Sequence, residues 1–244
     1  MSEPTLPGWH GKLPALGDFA SRRLPHEFIE PWDSWLAAGL QALREQAPGQ
    51  WLEGYLASPI WRFLLLPGVL PGTAGEQGWA GVLMPSVDRA GRYFPFTVAW
   101  PLQHLPANGA AFEALHRWLH QLDDLAADAL QDDWAITRLE AELGHLPPPA
   151  WPAAAPIGSA AGTHDIDGTA DVTTFIQEAA LGFWQTAASG QAFWWCQPGT
   201  GPGRLVVTQG LPGGAQIQCL LGAPPGSIDL LAAEPNTLST AASG

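Results

Sequence analysis

Three short apolar runs, separated by residues that favour turns, constrain the fold of this 244-residue chain more than any other feature. They span residues 60–66, 79–85 and 93–100, and Pro67-Gly68 closes the first of them. Short apolar runs bounded by glycine, proline and aspartate are typical of consecutive antiparallel strands. Pro95 lies inside the third run and has no amide hydrogen to donate, so that strand begins after Pro95 or lies at a sheet edge. The pattern predicts a meander of antiparallel strands.

Apolar residues at three- and four-residue steps predict helices on both sides of these strands. Pro31 allows the first helix to start at Glu30, because a missing amide hydrogen matters least near a helix start. Asp171 offers a cap at the start of the last one. The predicted helices span residues 25–46, 51–55, 112–129, 133–143 and 171–188.

Two later apolar runs, residues 193–196 and 205–207, flank a glycine- and proline-rich turn and predict a hairpin. The opening residues 8–19 hold three glycines and are expected to form a shaped loop rather than a strand. Strands and helices do not alternate regularly along the chain, so a purely parallel sheet is not expected. The pattern predicts a mixed or antiparallel sheet with helices on both faces.

We expect one domain over residues 1–229, followed by a flexible tail over 230–244. The proline- and alanine-rich tract at 146–162 has no periodicity and is expected to be an internal loop. A division into two domains at this tract is the alternative, since domain boundaries favour such segments.

The composition excludes several classes of protein. The chain has 10 basic and 23 acidic residues and a net charge of −13, whereas nucleic-acid binding depends on lysine and arginine. This acidity is expected to keep the protein soluble. The alternative interpretation is that the acidic surface binds a basic protein partner. No apolar run is long enough to insert in a membrane, and no secretory signal is recognisable. Two cysteines, Cys196 and Cys219, are too few for a disulfide framework, so we expect a cytoplasmic protein with two buried thiols.

Residues 165–169, which include Asp165 and Asp167, match the Asp-x-Asp-Gly-Thr string of haloacid-dehalogenase-type phosphatases. In those enzymes the first aspartate is a nucleophile at the end of a strand. Residues 158–164 are unsuited to a buried strand, and Lys12 is the only lysine available to balance a phosphate. The favoured interpretation of this pair is therefore a solvated loop.

His116 and His120 are one helical turn apart, a spacing that binds zinc, and Asp123 and Asp124 follow them. The glutamate of the protease version of this motif is absent. Surface histidines on an acidic helix explain the pattern better, and no metal, cofactor or catalytic group is predicted.

Two turn-rich segments hold most of the positive charge. The opening segment contributes Lys12, Arg22 and Arg23, and residues 88–95 contribute Arg89 and Arg92 beside two aromatic residues. Each segment is either a structural turn with solvated charges or a recognition surface. The second interpretation rests on the enrichment of arginine and aromatic residues at protein interfaces. Asp18 is placed to pair with an arginine of either segment and hold the loop.

The opening string Gly8-Trp9-His10-Gly11-Lys12-Leu13-Pro14, with Gly17-Asp18-Phe19 after it, resembles the start of the TagF family, also called ImpM. The likeness continues through Pro59-Ile60-Trp61-Arg62-Phe63 and Gly91-Arg92-Tyr93-Phe94-Pro95-Phe96. It extends to about residue 105, and the later segments match only in general layout.

This resemblance implies a non-enzymatic, cytoplasmic accessory protein of the bacterial type VI secretion system. Family members are regarded as post-translational restraints on assembly or firing, linked to the forkhead-associated scaffold protein. The family fold is similar to a three-layer α/β/α sandwich, here with a mixed, largely antiparallel central sheet. A phosphatase-like or metal-dependent enzyme using Asp165 and Asp167, or a structural subunit of the apparatus, are the alternatives.

The resemblance and the charge pattern together give a set of residues expected to determine the fold or an interface. We expect Gly17→Val to destabilise the fold. The set is Gly11, Lys12, Pro14, Gly17, Asp18, Phe19, Arg22, Arg89, Arg92 and Pro95.

Overall fold

The computed structural model describes residues 6–151, 187–197 and 203–222. Seven strands and five α-helices lie wholly within these residues, and none of these helices is long and apolar enough to cross a membrane. In chain order the elements are β1 (Gly8–Gly11), β2 (Ala20–Arg22), α1 (His26–Gln46), α2 (Trp51–Leu56), β3 (Trp61–Leu65), a 3-10 helix (Gly72–Glu76), β4 (Gly78–Met84), β5 (Phe96–Leu102), α3 (Gly109–Gln131), α4 (Ile136–His145), β6 (Gln191–Cys196), β7 (Arg204–Gln209) and α5 (Ala215–Leu221).

The described strands form one sheet in the order β2-β1-β5-β4-β3-β6-β7, and each neighbouring pair is antiparallel. The predicted meander is confirmed, because β3, β4 and β5 are neighbours in the sheet. The predicted hairpin of β6 and β7 is also confirmed. Of the mixed or antiparallel sheet that was expected, the mixed component is wrong for the described strands, because all six neighbouring pairs are antiparallel. β5 begins at Phe96, directly after Pro95, as predicted.

The prediction of a loop over residues 8–19 is wrong at its first four residues, which form β1. β1 pairs with β5 on one side and with β2 on the other. A Cβ atom on Gly8 would lie 2.7 Å from the Leu24 side chain, and one on Gly11 would lie 2.2 Å from the Pro95 carbonyl oxygen. These two glycines therefore allow close packing beside a strand.

Each face of the sheet has its own hydrophobic cluster, because neighbouring side chains along a strand point to opposite faces. On one face, Phe63 and Trp194 lie 5.2 and 5.9 Å from Trp32 of α1, measured between ring centroids. On the other face, Leu64 and Val82 join the cluster that includes side chains of α3 and α4. Apolar side chains are therefore packed on both faces of the central strands.

The first helix, predicted over residues 25–46, spans His26–Gln46, so the later start at Glu30 that Pro31 allows does not apply. The amides of Phe28 and Ile29 both donate to the Pro25 carbonyl oxygen at 3.1 Å. A complete turn therefore forms ahead of the proline inside the helix.

α5 was not predicted from the sequence. It has seven residues and packs through Ile217, Leu220 and Leu221 into the cluster that contains α1. The helix predicted over 171–188 falls almost entirely outside the described residues. The tail at 230–244, the Asp165 and Asp167 pair and most of the 146–162 tract also lie outside them.

The two cysteines are both free thiols. Cys196 is buried as predicted, and burial raises the pKa of its thiol, opposed by Arg204. Cys219 is only half-buried, so the expectation of two buried thiols is wrong for this residue.

Candidate functional site

The loop that joins β1 to β2, residues 12–19, lies against the connection between β4 and β5, residues 85–95. The Arg89 amide donates to the Leu16 carbonyl oxygen at 2.8 Å. The Ser86 hydroxyl donates to the Lys12 carbonyl oxygen at 2.7 Å. The guanidinium of Arg92 donates to the carbonyl oxygen of Gly17. These contacts along the loop fix it to the connection.

A buried ion pair lies beneath this contact. Lys12 Nζ donates to Asp88 Oδ2 at 2.7 Å, and both side chains are almost fully buried. Arg92 Nε donates to the same oxygen at 2.7 Å, while the amides of Ala90 and Arg92 donate to Oδ1 at 2.9 Å. Burial alone would raise the pKa of Asp88, but the hydrogen bonds from Lys12 and Arg92 outweigh it and hold the pKa far below its usual range. Asp88 therefore stays ionised and joins the two segments.

Tyr55 of α2 supports the connection from the other side. Its hydroxyl donates to the Ser86 carbonyl oxygen at 2.9 Å and accepts from the Ser86 amide at 2.8 Å. Burial raises the pKa of Tyr55 well above its ordinary value, against a smaller lowering by the Ser86 backbone hydrogen bond. The connection therefore has a neutral, buried anchor in addition to the ion pair.

Phe19 is a large hydrophobic residue that this loop exposes, with 45% of its surface accessible. Lys12 Nζ lies 4.8 Å from its ring centroid, and the Phe94 ring meets it edge-on at 4.8 Å. The His10 ring stacks on it at 6.0 Å, and His10 Nε2 lies 3.2 Å from the Asp33 carboxylate. A half-exposed aromatic ring is thus held in place by contacts on its inner side.

The expected role of Asp18 in holding the loop is a minor one. Its carboxylate lies 3.7 Å from Arg92, and both side chains are exposed. Exposed pairs of this kind contribute about 0–1 kcal/mol. The loop is held mainly by Lys12 and Asp88.

The structure brings most of the expected set together. Arg22 is the exception, because it lies directly opposite Trp9 in the β1–β2 ladder, and paired residues share a face of the sheet. Trp9 Nε1 bonds to Glu140 of α4 on the face opposite to α1, so Arg22 lies away from Phe19. Pro14 lies in a turn of the loop over residues 12–19. The residues of the set that meet at the two segments are Gly11, Lys12, Gly17, Asp18, Phe19, Arg89, Arg92 and Pro95.

The sequence interpretation missed the parts of this site that come from distant elements. Tyr55 and Ser86 were not singled out, although both support the connection. Their pairing has no local sequence signal, since 31 positions separate them. A buried tyrosine hydroxyl needs a partner, which is a general signal but does not name one.

The histidine pair on α3 forms a different cluster. The rings of His116 and His120 are 5.5 Å apart, and Arg62 donates to Asp123 at 2.5 Å while its guanidinium lies 3.2 Å from His120 Nδ1. Burial, with His120 and Arg62, lowers the pKa of His116. No group of three or more potential metal ligands occurs in residues 6–151, 187–197 and 203–222.

A family model described as TagF N-terminal domain, type VI secretion system-associated, matches residues 8–146. The chain belongs to the TagF family. The matched range spans β1 to α4 and includes both segments of the site. Beyond it, β6 and β7 extend the same sheet.

The TagF-family chain is also similar to a solved structure, PA0076 from Pseudomonas aeruginosa PAO1. The two are 32% identical in sequence and superimpose with a TM-score of 0.68. The similarity covers 88% of this chain and 94% of PA0076, so it extends well beyond the range of the family match. A comparison with curated proteins found no match.

Proposed function

We propose that this TagF-family protein is a non-enzymatic accessory protein of the type VI secretion system that restrains assembly or firing by binding another component. The family match to a type VI secretion-associated domain supports the association with this system. The resemblance of the sequence to the family supports three further parts of this proposal. They are the restraint, the cytoplasmic location and the forkhead-associated scaffold protein as the first partner to test.

The single observation that carries a binding role is the presentation of Phe19. Aromatic side chains that are ordered before binding lose little conformational freedom when a partner covers them. Phenylalanine and arginine are both enriched at protein interfaces relative to the rest of the surface. Arg89 is exposed on the neighbouring connection, so the surface combines an apolar centre with a peripheral cation.

The proposed restraint needs no chemical step. A protein that binds one state of its partner more tightly shifts the population toward that state, by as much as the two affinities differ. Binding through Phe19 to a component in its unassembled state would lower the fraction that is competent to assemble.

We also propose that residues 1–229 form one TagF-like domain with the layers of an α/β/α sandwich. Two facts support this proposal. β6 and β7, which lie after residue 146, belong to the same sheet as β1 to β5. Both sheet faces carry a cluster that includes helical side chains.

The test compares Phe19→Ala with Leu56→Ala in cells that overproduce the protein. Leu56 is a matched control, since it is exposed by 52% but lies on α2. We expect Phe19→Ala to weaken co-purification with secretion components at least tenfold and to relieve the suppression of secretion. Leu56→Ala should change neither. Full suppression and full binding by a folded Phe19→Ala protein would contradict the proposed surface.

A further inference from the structure

Among the described strands, the two that lie at the edges of the sheet differ in length and charge. β2 forms one edge, has three residues and carries Arg22. β7 forms the other, has six residues, and is uncharged from Leu205 to Gln209. Long uncharged edges pair readily with other strands, and natural proteins usually shorten or charge them. β7 therefore has the properties of a strand that receives a partner.

The ladder register shows which backbone groups of β7 face outward. Gly210 donates to the Gly190 carbonyl oxygen at 2.7 Å, one step beyond the Gln191–Gln209 pair. Hydrogen-bonded and non-hydrogen-bonded pairs alternate along an antiparallel ladder. The backbone groups at 204, 206 and 208 are therefore directed to β6. Those of Leu205, Val207 and Gln209 are directed away from the sheet.

The same residues expose apolar surface. Leu205 and Val207 are 64% and 43% accessible, and they share a face with Trp195 and Phe193, their partners on β6. They are two of the four large hydrophobic residues that are exposed within the described part of the chain. Outward backbone groups and exposed aliphatic side chains thus coincide on one strand.

We propose that β7 pairs antiparallel with β7 of a second copy of this chain, about a twofold axis at Val207. In this register Val207 faces Val207 of the other copy, and Leu205 faces Gln209. All of these residues direct their backbone groups outward, so each pair exchanges two hydrogen bonds. The strand is therefore complementary to itself and joins the two sheets into one.

Charge favours a second copy at this edge over other parts of the surface. The chain carries a net charge of −13, so two copies repel each other wherever their carboxylates meet. β7 has no carboxylate, and its one charged residue, Arg204, lies at the end of the strand. The antiparallel register places the two Arg204 residues at opposite ends of the joint.

The first experiment measures the mass of the full-length protein by light scattering over a concentration series. We expect a dimer for the wild type and for Leu56→Lys, which adds a charge at another exposed leucine, on α2. Leu205→Lys should raise the dimer dissociation constant at least tenfold. A monomer at all concentrations, or a dimer that Leu205→Lys leaves unchanged, would overturn the proposal.

The second experiment tests the register by disulfide formation in a Cys219→Ser background. Directly opposed residues of a hydrogen-bonded pair have Cα atoms about 5.5 Å apart, which is within disulfide range. Val207→Cys should therefore form a cross-linked dimer under mild oxidation, whereas Leu205→Cys should not, because the two 205 positions lie on opposite sides of the axis. Equal cross-linking of both variants, or of Leu205→Cys alone, would refute this register.

Discussion

Tyr55→Phe removes one oxygen atom from the buried support of the site, and the structure defines what is lost. The hydroxyl has two hydrogen bonds, one with the Ser86 amide and one with the Ser86 carbonyl oxygen. The carbonyl oxygen keeps a second donor, the Phe94 amide at 3.1 Å. The amide has no other partner within the described residues, so one buried donor is left unpaired.

An unpaired buried donor costs about 1–3 kcal/mol. For a protein of this size, each kcal/mol lowers the melting temperature by about 2–4 °C. We therefore expect Tyr55→Phe to lower the melting temperature by roughly 5 °C, measured by differential scanning calorimetry and checked by urea unfolding.

Tyr93→Phe is the matched control. The Tyr93 ring packs edge-on against Tyr55 at 6.1 Å, but its hydroxyl makes no hydrogen bond within the part of the chain that the structure describes. It should change the free energy of unfolding by less than about 0.5 kcal/mol. Equal effects of the two variants would show that the Ser86 bonds do not support the connection.

Three further outcomes follow from the ionised and buried groups. Lys12→Met should destabilise the protein more than Arg92→Met in urea unfolding, because Lys12 is buried beside Asp88 whereas the Arg92 side chain is exposed. Burial acts to raise the pKa of Glu140, but hydrogen bonds from Arg23 and Trp9 lower it, so its contribution to stability should be lost as the pH falls below about 4.3. Unfolding of Glu140→Gln should vary less with pH in that range. Because burial raises the pKa of Tyr55, stability should fall as the pH rises above about 10, and less so in Tyr55→Phe.

The fold was predictable where the signal is local. Turn residues and apolar runs predicted β3, β4, β5 and the β6–β7 hairpin, because a strand and its neighbour along the chain are close in sequence. Residues 8–11 were expected to form a loop because glycine is common in turns, but they form β1. A glycine allows a turn, but it also allows a strand to approach Leu24 or Pro95 closely, and only the fold distinguishes the two.

The site was predictable only in part, because its contacts join residues that are far apart in the sequence. The sequence identified both segments, yet 76 positions separate Lys12 from Asp88, and nothing local pairs them. The expectation for Gly17→Val has no support, since a Cβ at Gly17 would meet no atom within 4 Å and its φ lies outside the left-handed region. Arg22 was grouped with the loop because it is near in sequence, but strand alternation places it on the other face.

Lys12 contacts the Phe19 ring and binds Asp88 of the distant connection between β4 and β5. The setting of Phe19 therefore depends on the folded sheet. In the folded chain the two segments meet where β1 pairs with β5 and β5 pairs with β4. A contact between positions 76 apart carries a loop-closure cost in entropy, which the structure between them has to offset. A peptide that contains only residues 8–25 would lack Asp88 and the support of Ser86, and would not hold Phe19 in place. A partner that recognises Phe19 in this setting would therefore distinguish finished protein molecules from nascent or unfolded ones.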